Sequence, residues 1–375
     1  MKKSLLAAAL IAGFAGVAHA ETSVTLYGIV DGGIGYERVK GNVEGVDVDA
    51  KRTGLINGVN SANRWGLKGS EDLGEGLKAI FVLESGFDLG TGKQGQNSRM
   101  FGRQATAGLA SDAWGQLEFG RQTNLASKYL AKVASPFGVD FAQARAGTTF
   151  GAADSIRYDN LVLYQTPVFS GFQLGVGYSF NNDGNQGFKD SDGDDPNSRA
   201  LTAGLRYGNG PLAAALTYDQ IKSAEDLTAP LGDVTVKSWN LAASYDFEIA
   251  KVYAGFGQAR NGWLSPIKWA DESVDNTGSG FISNDGMKVN SYSLGLSAPV
   301  GANGQVLASW GVADAKEGGV MLGDDLSKQQ VYSLGYTYAL SKRTNVYAVG
   351  SYAKHVAFQD DLKSTLVGVG LRHQF

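Results

Sequence analysis

The sequence predicts an all-β chain, an antiparallel transmembrane β-barrel of about sixteen strands, on three observations. Apolar and polar residues alternate in short segments along most of the chain, the period of a half-buried strand. Short connections alternate with long polar ones, the signature of a barrel crossing an outer membrane. The polar faces carry Arg, Lys, Gln, Thr and Gly beside apolar faces, as expected of a pore whose apolar side meets lipid and whose other side meets water.

The chain opens with Lys2 and Lys3, an apolar run over 5–17 and Ala18-His19-Ala20, the order of a secretory signal. Residues 1–20 are therefore expected to be removed, leaving a single barrel domain over 21–375. Of 33 basic and 37 acidic residues, the signal removes two lysines, so 31 against 37 remain, a net charge of −6. That balance does not suggest nucleic acid. The chain has no cysteine, hence no disulfide frame and no thiolate metal site. Beyond the signal there is no apolar run long enough for a spanning helix.

Taken in order, 23–36 reads as a long strand with Val24, Leu26, Val30, Ile34 and Tyr36 interleaved with glycine, and 63–69 as a second with Trp65 and Leu67 opposite Arg64 and Lys68. A turn at 71–76 leads to Leu77, Ala79, Phe81 and Leu83, with Lys78 and Glu84 on the other face. Strands follow over 99–109 and 116–122. Then alternation stops for about thirty residues, from Thr123 to Ser155, with a helix-like patch at 125–133 and the element Pro136-Phe137-Gly138. Breaks of this length inside a domain are uncommon and usually functional. Alternation resumes at Phe172 and recurs through Leu201, Leu212, Trp239, Val252, Tyr292, Val306, Tyr332, Val346 and Val367. Aromatic residues gather near strand ends, where amphipathic rings prefer the membrane interface. Glycine, 52 of 375 residues, is about twice its usual share of roughly 7% and is expected to open the lumen and permit twist.

Several motifs now resemble a family: Ser23-Val24-Thr25-Leu26-Tyr27-Gly28, the run from Asn63-Arg64-Trp65-Gly66-Leu67-Lys68 to Asp72-Leu73-Gly74, Glu84-Ser85-Gly86-Phe87, Phe101-Gly102-Arg103-Gln104, Phe119-Gly120-Arg121-Gln122 and the terminal Gly370-Leu371-Arg372-His373-Gln374-Phe375. They look like general diffusion porins of Gram-negative bacteria, the beta-proteobacterial branch. The resemblance spans the mature chain. It implies a sixteen-stranded antiparallel barrel, a homotrimer in outer-membrane lipid and lipopolysaccharide, and a third external loop, here 123–156, folded into the lumen. Phe375 resembles the signal read by the barrel assembly machinery.

The resemblance also implies a constriction. Arg64, Arg103 and Arg157 match an arginine wall, with Lys68 nearby on the strand of Arg64, and Glu84 matches an inward acid. The loop element at 136–138 resembles a Pro-Glu-Phe-Gly element of related porins but lacks its glutamate. Between 123 and 145 the loop holds Asp140 against Lys128, Lys132 and Arg145, so an anion preference is expected. Charges lining a narrow constriction focus the field across the remaining water.

Other chemistry finds little support. Asp190-Ser191-Asp192-Gly193-Asp194-Asp195 has acids spaced like the start of a calcium loop, but Asp195 stands at the glycine position and Leu201 at the final glutamate, so a solvated acidic loop is expected and no metal. Only His355 and His373 remain after maturation, which disfavours a histidine-assisted nucleophile and an enzyme. No cofactor motif appears. The expected function is passive diffusion of small hydrophilic solutes and ions. The alternatives are a substrate-specific channel using the same residues, and a surface whose long loops, notably 258–286 with Trp263 and Trp269, bind a host or phage partner.

Overall fold

A computed structural model describes residues 23–43, 46–189, 195–224, 234–264, 282–318 and 326–375. Its strands form one closed antiparallel sheet. They are β1 (Ser23–Val43), β2 (Val46–Asn57), β3 (Arg64–Gly74), β4 (Leu77–Gly86), β5 (Gln104–Ser111), β6 (Gly115–Thr123), β7 (Arg157–Gln165), β8 (Phe172–Ser179) and β9 (Arg199–Asn209). The circuit continues with β10 (Leu212–Lys222), β11 (Thr235–Asp246), β12 (Lys251–Trp263), β13 (Ile282–Val300), β14 (Gly304–Glu317), β15 (Gln329–Ala339), β16 (Thr344–Lys354) and β17 (Lys363–Gln374). Pairing of β1 with β17 closes the circuit, and the terminus is fastened by Gly28 N donating to Phe375 O at 3.1 Å. Closure leaves no open edge for the bilayer to solvate.

The seventeen segments make sixteen staves. β3 pairs with the first part of β1 and β2 with its second part, so β2 and β3 share one flank of β1 and form a single stave broken by residues 58–63. The expected first strand over 23–36 is therefore seven residues too short, and β2 was not foreseen. The fifth strand starts at Gln104, not Arg99, because residues 99–103 form a turn.

Pleating sorts the faces as the bilayer demands. On β10, Leu212 and Leu216 are exposed while Ala215, Thr217 and Asp219 are buried. Outside, Ile34 is 65% exposed and Leu334 62%, and Trp239, Phe256 and Tyr292 run ring to ring across β11, β12 and β13. A soluble barrel would hide these side chains; here they form the lipid-facing band.

The lumen is crossed by residues 124–156, as expected of the third loop. Asn124 starts it: its Oδ1 accepts from Ser127 N at 3.2 Å, capping a π-helical turn (Ala126–Leu130) that runs into an α-helical one (Ala131–Ala134). Pro136 follows, and the residue before a proline leaves the helical region. Leu125, Tyr129 and Leu130 bury themselves against Leu161, Leu163, Ala200 and Ala215 of the inner wall. Farther on, Phe137 and Phe141 pack on Ile56, Val59, Tyr347 and Leu366 at the opposite side. Each such side chain contributes about 2 kcal/mol by burial.

Glycine has a more specific use here than widening the pore. A Cβ at Gly204 would lie 2.9 Å from the Tyr129 ring, at Gly255 2.8 Å from Phe150, at Gly295 2.6 Å from Pro136 and at Gly335 2.9 Å from Phe137. Inward glycines on β9, β12, β13 and β15 are the recesses into which the loop seats.

Candidate functional site

The loop covers one half of the inner wall and leaves the other half bare. On the bare half, Arg64 opens β3 and faces Ile29 of β1, while Glu84 of β4 lies one pair away. Glu84 is fully engaged: Arg103 Nε donates to its Oε1 at 2.7 Å and Tyr27 Oη to its Oε2 at 3.1 Å. Arg103 is 8% exposed and Glu84 14%, so this pair is largely withdrawn from the water path. Arg157 reaches the same cluster and donates from Nε to Arg103 O at 2.9 Å and from Nη1 to Ser155 O at 3.2 Å. Arg64 donates from Nε to Ala62 O at 3.0 Å. Arg64 and Arg157 thus bind carbonyl oxygens, and among the described residues neither forms an ion pair within 4 Å.

The loop side differs from expectation at Arg145. Its guanidinium grips both carboxylate oxygens of Asp154, Nη2 to Oδ2 at 3.0 Å, so its charge is balanced inside the loop. Asp154 lies beyond the 123–145 window that made the loop look strongly basic. Lys128 is tucked under the loop with Nζ on Gln122 Oε1, and burial lowers its pKa. Lys132 is exposed. Asp140 accepts from Ser61 Oγ at 3.3 Å and faces Arg64 and Arg372. Burial raises its pKa, outweighing the nearby cations. Lys68 lies below, its Nζ 5.4 Å from the centre of the Tyr27 ring.

Several residues were not anticipated. Asp31 of β1 accepts from Tyr347 Oη at 2.6 Å and Ser61 N at 2.8 Å, clipping the 58–63 segment inward, and Phe141 N donates to Asn60 O at 2.8 Å. The broken stave therefore holds the loop tip. Arg99 and Arg121 share Asp159, at 2.6 and 2.5 Å, beside a cavity of about 500 Å³. Trp263, expected in an external binding loop, is 1% exposed and meets Phe358 edge to face inside the mouth. Trp269, residues 190–194 and the signal at 1–20 lie outside the described residues.

A sixteen-stave closed barrel, apolar outside and crossed by a charged constriction, invites comparison with known channels. The family model for Gram-negative porins matches residues 7–356. The chain belongs to the Gram-negative porin family. An outer membrane porin protein of Bordetella pertussis is 52% identical with both chains fully covered, and outer membrane porin protein 32 of Delftia acidovorans 36% identical, again over both whole chains. Among solved structures, the anion-selective porin from Comamonas acidovorans superposes with a TM-score of 0.70 at 30% identity, covering 95% of this chain and all of that one. This porin is accordingly a non-catalytic diffusion channel of the Gram-negative outer membrane with a charged constriction, reached by export through the periplasm.

Proposed function

We propose that this porin passes small hydrophilic solutes and ions with a preference for anions, through an eyelet bounded by the loop at 123–156 and a wall of Arg64, Arg103 and Arg157. The observation that carries the reading is the pairing pattern: Arg64 and Arg157 rest on carbonyl oxygens, so among the described residues neither is locked in an ion pair with a carboxylate. Lys132 adds positive charge from the loop and Lys68 from below, against Asp140; Glu84 is spent on Arg103. Arg145 and Lys128 contribute less than their number suggests, one being paired and the other buried. The name of the Comamonas relative supports the same sign.

The porin family and the resemblance of the terminal residues support a homotrimer in lipopolysaccharide and lipid, delivered by the barrel assembly machinery through Phe375 after removal of residues 1–20. The reversal potential of single trimers in a planar bilayer under a salt gradient tests the selectivity. An anion-preferring potential is expected; a cation-preferring one overturns the reading. Saturable block of the current by one solute at low concentration would replace free diffusion with a substrate-specific channel.

A further inference from the structure

Arg372 lies in the terminal motif, where the sequence resemblance accounts for Phe375 alone. It stands on β17 directly opposite Asp31 of β1, and Arg64 stands on the other side of β1 opposite Ile29. Ile29 and Asp31 are two residues apart and share the inward face, so Arg64 and Arg372 also face the lumen, flanking β1. Strand spacing of roughly 4.8 Å and rise of about 3.4 Å per residue put their Cα atoms about 12 Å apart, close enough for one solute to sense both. Asp31 lies in electrostatic range of Arg372 but forms no ion pair with it; its two carboxylate oxygens accept from Tyr347 and Ser61 instead. Arg372 Nε is buried without a hydrogen-bond partner, and among the described residues the guanidinium forms no ion pair within 4 Å. A second carboxylate in electrostatic range is Asp140 on the loop tip, which also faces Arg64 and Lys132.

We propose that Arg372 is a specificity-determining residue of the eyelet, and that Arg64 and Arg372 form its guanidinium pair across β1, neither locked in an ion pair. The last strand therefore carries both an assembly motif on its terminal residue and a selectivity charge three residues earlier. The proposal rests on the anion-preferring reading above.

The test measures anion-to-cation permeability ratios of intact trimers in planar bilayers. Arg372→Gln is expected to lower the ratio about threefold, the combined effect on anion and cation of one charge at roughly 7 Å in a water-like dielectric screened by about 0.1 M salt. Arg372→Lys should retain most of it, which a purely packing role for the guanidinium would not. Asn345 of β16 pairs with Arg372 and faces the same way, so Asn345→Glu sets a carboxylate beside it without touching the terminal strand. This variant should also lower the ratio about threefold, and it decides alone if Arg372→Gln fails to assemble. Because the chain has no native cysteine, Arg372→Cys can be labelled after assembly. A cationic methanethiosulfonate should restore the ratio and an anionic one depress it further. An anion-preferring parent with unchanged ratios in these variants overturns the role of Arg372 alone; a cation-preferring parent overturns the underlying reading instead.

Discussion

The two halves of the inner wall are built from the same strand geometry and do opposite work. From β9 through β15 the inward glycines Gly204, Gly255, Gly295 and Gly335 are recesses filled by loop side chains, and polar positions such as Thr202 and Asp219 bind the loop. On β3, on β4 and near the end of β17 the inward positions carry Lys68, Arg64, Glu84 and Arg372. The contrast separates two tasks: recesses on one side fix where the loop lies, and charge on the other is where the proposed selectivity would act.

The contrast breaks most visibly if the loop is undocked. Leu130 is fully buried, and Leu130→Ala should cost about 2–5 kcal/mol of docking free energy. Larger and noisier single-channel openings with intact barrels are expected, and an unaltered conductance histogram would show that the recesses do not set the aperture. Filling a recess attacks the same side: Gly295→Val should press on Pro136, cost about 1–3 kcal/mol and widen the conductance distribution. On the charged side, Arg64→Gln should lower the anion-to-cation ratio about threefold at unchanged conductance in high salt. Selectivity that survives this substitution would remove Arg64 from the eyelet.

Titration sharpens the comparison further. The Asp140 carboxyl is held above its ordinary value of about 3.9 by burial, so on acidification it loses its negative charge before an ordinary aspartate does. Asp140 is then lost as an opposing charge to Arg64, Arg372 and Lys132, which face it, so anion preference should rise as pH falls below neutral. Reversal potentials recorded between pH 7 and pH 4 check the sign, and Asp140→Asn should abolish the slope. The smallest effect is expected from Glu84→Gln combined with Arg103→Gln. This double change removes one charge of each sign from a pair at 2.7 Å and should leave the permeability ratio near that of the parent.

The barrel was legible because lipid imposes a strict two-residue period on its outer face, visible at Leu212, Leu216, Trp239 and Leu241 without any knowledge of pairing. The break at 123–156 and the arginines at 64 and 103 were legible through motifs. What escaped was everything set by contact across strands. Arg103 and Glu84 are nineteen residues apart, and nothing local says that they meet. Asp154 neutralises Arg145 from outside the window used to sum the loop's charge. Arg372 was hidden inside a motif read for its last residue. β2 alternates over Val46, Val48 and Ala50, but its charged partners look like a solvated loop until β1 is seen extending to pair with it.

A cylinder whose wall is one strand thick resists inward pressure well but flattens easily into an oval. The loop is anchored on β10 where Asn124 Nδ2 donates to Asp219 Oδ1 at 2.9 Å, reaches β13 where Ser293 Oγ donates to Ala134 O at 3.1 Å, and touches β16 and β17 through Gln143 on Ser351 and Ser364. Those attachments make it a spoke across the tube. Lateral squeezing by the bilayer would have to compress this spoke before it could deform the opening, so the aperture is mechanically insulated from membrane tension.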